Sequence, residues 1–118
     1  MVRDPSERDA ERFVPLHPLE FRILLVLWNE TAHGYRIVKA IEESDGAWSR
    51  IFPANLYRRL RDLLAQGLIE EADPADPADA DPRRRYFRIT ALGRRVSRLE
   101  AKRLSELAHD ARGLLERT

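Results

Sequence analysis

Asn55, Arg58 and Arg61 fall within two turns of the stretch PANLYRRLRDLLAQ, and their side chains suit the edges of base pairs. An arginine fork donates two parallel hydrogen bonds to guanine O6 and N7, and an asparagine amide pairs in the same bidentate way with adenine. At helical periodicity Leu56, Leu60, Leu63 and Leu64 gather on one side, leaving Ala54, Asn55, Arg58, Arg61 and Asp62 opposite. Tyr57 and Arg59 flank the apolar stripe, where a side chain meets phosphate rather than base. Outward arginines are ordinary on any amphipathic helix. A second basic element lifts these above a solvated face: RRRYFRIT sets Arg83, Arg84 and Arg85 beside Tyr86. Strand alternation turns Phe87 and Ile89 inward and Arg84, Tyr86 and Arg88 outward, with Arg83 and Arg85 near a turn, all placed to meet phosphates or a minor groove. The plainer reading is a solubilising edge strand; three arginines beside an aromatic, close to a base-reading helix, favour nucleic acid.

The net charge of +1 conceals a strong asymmetry. Residues 70–81 hold Glu70, Glu71, Asp73, Asp76, Asp79 and Asp81 with no base, and residues 82–98 hold Arg83, Arg84, Arg85, Arg88, Arg94, Arg95 and Arg98 with no carboxylate. The absence of cysteine excludes disulfides, thiolate metal sites and a thiol nucleophile. His17, His33 and His109 lack metal-ligand spacing, and the chain carries no nucleophile elbow, phosphate-binding glycine loop or metalloprotease helix. No catalytic residue, metal or cofactor is expected. The apolar run from Phe21 to Trp28 is far short of a bilayer span, so no membrane association and a cytoplasmic location are expected.

The elements that position these residues follow from periodicity. Residues 1–14 are charged, aperiodic and contain Pro5, the pattern of a flexible arm. From Pro18, Leu19, Ile23, Leu24, Leu27 and Trp28 recur at helical spacing, with Glu20 near the positive helix end. YRIVKAIEES gives a second helix with Tyr35, Val38, Ile41 and Glu42 near one face, and Pro53 to Gly67 the third. LIEEA and RRYFRIT then read as two antiparallel strands around an acidic, proline-punctuated spacer at 73–82, which should be a solvated tip. Beyond Thr90, a candidate N-cap, the stripe Val96, Leu99, Leu104, Leu107, Ala111, Leu114 and Leu115 is long for one exposed helix and predicts a homodimer seam. The expected fold is mainly α with a small β-hairpin: a winged helix-turn-helix over 15–90 and a C-terminal dimerisation helix over 91–118.

On three anchors in order, residues 16–92 resemble the PadR family of transcriptional regulators. These are LVLWNETAHGY, where HGY opens the second helix; NLYRRLRDLLAQGLIE, similar to the recognition helix and following strand; and RRRYFRITALGRR, similar to the returning strand and the start of the dimer helix. The resemblance implies a dimeric repressor on double-stranded DNA with an inverted-repeat operator, and a small aromatic or drug-like effector. Carried over by position, Asn55, Tyr57, Arg58 and Arg61 fall in the recognition helix and residues 84–86 in the wing. Two departures matter. Ala54 and Asn55 stand where the family commonly has glycine and threonine, so no operator sequence transfers, and the spacer is longer and more acidic than the family's wing tip. Trp28 and Trp48 are candidates for lining an effector pocket, although tryptophan is more often core. The rival reading is a winged-helix adaptor that binds an acidic protein without sequence-specific DNA binding.

Overall fold

The computed structural model describes residues 9–45, 53–79 and 81–116. Within them run α1 (Pro18–Asn29), β1 (Ala32–His33), α2 (Gly34–Asp45), α3 (Pro53–Ala65), β2 (Ile69–Ala72), a 3-10 turn (Pro77–Asp79), β3 (Tyr86–Ile89) and α4 (Ala91–Leu115). Pro18 starts α1 where its missing N–H is no loss, and the His17 imidazole caps that end by accepting from the Leu19 amide at 3.1 Å. Helix α1 is the hub of the fold, packing against α2, α3, α4 and β3. Its Ile23, Leu24 and Leu27 meet Ile37 and Ile41 of α2, Leu56, Leu60 and Leu63 of α3, and Val96 of α4 in one core. Each such buried aliphatic stabilises by about 1.5–3 kcal/mol relative to exposure.

A joint at the end of α3 fixes the sheet and α4 relative to the helices. Gly67 has φ 75°, the left-handed region that glycine enters without strain. The Leu68 amide donates to the Leu63 carbonyl at 3.0 Å and the Gly67 amide to the Leu64 carbonyl at 3.1 Å, closing α3 in a Schellman motif. The Thr90 hydroxyl donates to the Gly67 carbonyl at 2.6 Å and accepts from the Gly93 amide at 3.0 Å, so one residue caps α4 and ties it to the end of α3. Gly93 lies so close to this joint that a Cβ there would sit 2.1 Å from the Leu68 carbonyl oxygen.

Four expectations change. The sheet has three strands in the order β1-β3-β2, because Ala32 and His33 pair with Phe87 and Tyr86; a two-residue strand is too short to leave a periodic signal. The returning strand begins at Tyr86, so Arg83 to Arg85 belong to the turn before it. Residues 9–14 are not a loose arm: 9–11 form a helical turn, Ala10 is fully buried, and Phe13 and Val14 lie against the core. The Leu16 amide just beyond donates to the buried carboxylate of Glu100; residues 1–8 lie outside the described residues. On α2 the buried hydrophobic side chains are Ile37 and Ile41, and Tyr35 is exposed.

Candidate nucleic-acid interface

Asn55, Tyr57, Arg58 and Arg61 are exposed along one side of α3, while Leu56, Leu60 and Leu63 anchor the other in the core. Among the described residues Arg58 and Arg61 take part in no ion pair or hydrogen bond. Gly34, the first residue of α2, lets Tyr57 come close; a Cβ there would lie 3.1 Å from the tyrosine ring. A cleft of about 320 Å³ opens between the start of α2, α3 and the wing, with Tyr35, Tyr57, Arg61, Arg84 and Phe87 among its walls. Of the base-reading candidates Arg61 borders this concavity together with Arg83, Arg84 and Arg85, whereas Asn55 and Arg58 lie outside it.

Arg59 is a different kind of residue from its neighbours. Its guanidinium meets Glu20 of α1 at 3.1 Å, and the Glu20 side chain is 9% exposed. Glu20 lies in the first turn of α1, as its place near the positive helix end predicts, and it is also buried there. Arg59, expected at phosphate, turns inward instead, because the helical angle that puts Arg58 outside carries it toward α1, where the carboxylate needs a cation.

The wing arginines all have carboxylate partners. Arg88 pairs with Glu70 at 2.7 Å across the β2–β3 ladder, where the two are register partners, and Arg85 pairs with Glu71. Asp81 takes Arg83 and Arg84 together: its carboxylate accepts from the Arg83 amide at 2.9 Å and lies 3.3 Å from the Arg83 Nε and 3.6 Å from the Arg84 Nε. The hydrogen bond from the Arg83 backbone N–H is the main reason its pKa lies below the usual aspartate value, with the Arg83 and Arg84 guanidiniums adding to it. Arg84 also reaches His33 Nε2 at 2.7 Å. Burial, followed by the nearby Arg84 charge, holds the His33 pKa below its ordinary value.

Tyr86 departs from its expected outward role. It does lie on the strand face opposite Phe87 and Ile89, but its register partner His33 covers it edge-on at 5.4 Å between ring centroids, leaving it 9% exposed. Only the third strand reveals this, since a lone hairpin would leave that face open.

The C-terminal stripe divides in two. Val96 is fully buried in the protein's own core and Leu99 is half-buried against it, so these two serve the fold of one chain. Leu104 is half-buried, and Leu107, Ala111, Leu114 and Leu115 are exposed. Near the start of α4, Arg94 and Arg98 lie 4.6 and 5.4 Å from the Trp28 ring. A groove of about 240 Å³ between α1 and α4 is lined by Leu25, Trp28, Ser97 and Ala101, and the buried Ser97 hydroxyl has no hydrogen-bond partner among the described residues. Trp48 lies outside the described residues. Among the described residues no cluster of histidine and carboxylate side chains is arranged to hold a metal, and no helix is long and apolar enough to cross a membrane.

Among the described residues, the helices α1 to α3, a three-stranded sheet whose last two strands form a wing, and the long helix α4 define a winged helix-turn-helix protein. Residues 23–99 match the model of the transcriptional regulator PadR-like family, and the chain belongs to that family. No curated protein sequence matches it. A PadR family transcription regulator from Clostridium difficile R20291 superimposes with a TM-score of 0.70 at 17% identity, covering 84% of this chain and 99% of the other. A PadR-like transcriptional regulator from Bacillus cereus does so with a TM-score of 0.72 at 21% identity, covering 85% and 93%. The adhesin competence repressor of Streptococcus pyogenes gives 0.64 at 21% identity, covering 89% and 68%.

Proposed function

We propose that this PadR-like regulator is a repressor that binds an inverted-repeat operator as a homodimer. The observation that carries the reading is the exposed pair Arg58 and Arg61 on α3, without an ion pair among the described residues, with Asn55 one turn before Arg58's neighbour Arg59, beside a wing of arginines. In this fold the second helix of the motif enters the major groove, Asn55, Arg58 and Arg61 read base edges, and Tyr57 and Arg83 to Arg85 meet the backbone. Leu107, Ala111, Leu114 and Leu115 form the seam with a second copy, with Leu104 at its inner edge; their spacing is that of an antiparallel or parallel helix pair. An aromatic effector enters the groove beside Trp28, where displacement of α1 against α4 would alter the distance between two recognition helices.

Selection of bound fragments from genomic DNA by the purified protein tests this directly. An inverted repeat whose half-sites are one helical turn or a multiple apart is the expected result. Fragments bound without any shared sequence would overturn the operator reading. Truncation after Arg103, which spares Val96, Leu99 and Glu100, is expected to give a folded monomer by sedimentation; a truncated chain that stays dimeric places the seam elsewhere.

A further inference from the structure

The acidic spacer and the arginines that follow it meet at one residue. Asp76 spends its carboxylate on the spacer itself, accepting from the Ala78 amide at 2.9 Å. Glu70 and Glu71 pair with Arg88 and Arg85 across the sheet. Among the described residues Asp81 is the carboxylate that gathers two arginines of the turn, and it is held in place for that by the Arg83 amide. With its side chain 29% exposed, it is less open to water than either arginine, at 89% and 47%.

Resting on the DNA-binding reading above, we propose that Asp81 stands in for DNA phosphate on the free protein. It engages Arg83 and Arg84, a backbone phosphate must displace it, and it thereby sets how strongly the wing holds any duplex irrespective of sequence. A carboxylate and a phosphate oxygen offer a guanidinium the same charge-assisted acceptor, so the exchange keeps each arginine paired. What it adds is an uncovered aspartate close to the DNA, which opposes binding.

His33 makes the release of Arg84 inexpensive. The Arg36 amide donates to His33 Nδ1 at 3.1 Å while Arg84 presents an N–H to Nε2 at 2.7 Å. A neutral imidazole has one acceptor nitrogen, so the two donors compete for it. When Arg84 leaves for phosphate, the ring settles with its proton on Nε2 and keeps the bond from Arg36.

Asp81→Asn tests the role, because an asparagine oxygen still accepts from the Arg83 amide while the charge is gone; Asp81→Ser, which retains an acceptor, serves if the first variant melts early. With a random-sequence duplex at low salt, Asp81→Asn is expected to bind about three- to tenfold more tightly than the parent. The advantage should fade at high salt, and log K against log salt should steepen by about one. Adding Arg84→Ala should remove most of the gain. Asp76→Asn, which removes the same charge from the same spacer, should change little. Unchanged binding by Asp81→Asn, in an assay where Arg58→Ala weakens operator binding, overturns the role; so does equal tightening by Asp76→Asn, which would show general repulsion instead. If neither parent nor variants hold any duplex, the DNA-binding reading itself fails and takes this role with it.

Discussion

On α3 the cations Arg58 and Arg61 are exposed and free of ion pairs among the described residues, whereas on the wing Arg83, Arg84, Arg85 and Arg88 each have a carboxylate in reach. The same guanidinium chemistry is therefore poised in one region and occupied in the other. The difference comes from neighbours. Helix α3 offers Arg58 no carboxylate three or four positions away except Asp62, which it does not engage, while β2 and the turn set an acidic residue opposite each wing arginine. Free cations cost nothing to redirect to a base edge and suit specificity; paired ones must first exchange partners and suit adjustable, sequence-independent affinity.

The sharpest way to break this contrast is at Arg58. Arg58→Ala is expected to weaken operator binding by about 1–3 kcal/mol and to relax one position in each half-site, read by titrating operator variants. Equal loss on every sequence would make Arg58 a phosphate contact and erase the distinction from the wing.

Arg59 supplies the counter-case on the same helix. Arg59→Ala strands the Glu20 carboxylate in a largely buried position, and a loss of about 1–2 kcal/mol in denaturant unfolding is expected, discounted because Arg59 is itself partly solvated. Affinity per folded molecule should not change. A fall in DNA affinity with intact stability would return Arg59 to the interface.

A smaller effect is expected from Arg85→Ala. Loss of one exposed pair with Glu71 should leave the melting temperature nearly unchanged, while the salt dependence of duplex binding becomes shallower by about one. An unaltered salt slope would mean that Arg85 serves the sheet alone.

The smallest effect concerns pH. Because burial and Arg84 lower the His33 pKa from its usual 6.5, the unfolded chain binds this proton more readily than the fold does. The stability favouring neutral His33 is full above that value and is lost as pH falls below it through the folded pKa. Asp81 lies nearby as an opposing charge, and Arg36 adds to the effect of Arg84. Melting temperature should decline modestly between about pH 7 and pH 5, and His33→Gln should flatten that part of the curve. An unchanged slope would show that protonation of His33 is not linked to folding.

Much of the architecture is legible in the sequence. The stripes Ile23, Leu24, Leu27 and Leu56, Leu60, Leu63, the stop at Gly67 and the cap at Thr90 follow from 3.6-residue periodicity and the conformational habits of glycine and threonine, which are local properties of the chain. The outward face of α3 was legible for the same reason. Tertiary structure decided what depends on who lies opposite: that β1 covers Tyr86, that Glu20 claims Arg59, that Val96 belongs to the core of one chain, that residues 9–14 pack down, and that Asp81 holds Arg83 and Arg84 while Glu71 holds Arg85. Periodicity says which side of an element is apolar, but the pairing of charges and the covering of a sheet face are long-range contacts. They are fixed only when the whole chain has closed on itself, which a one-dimensional pattern does not encode.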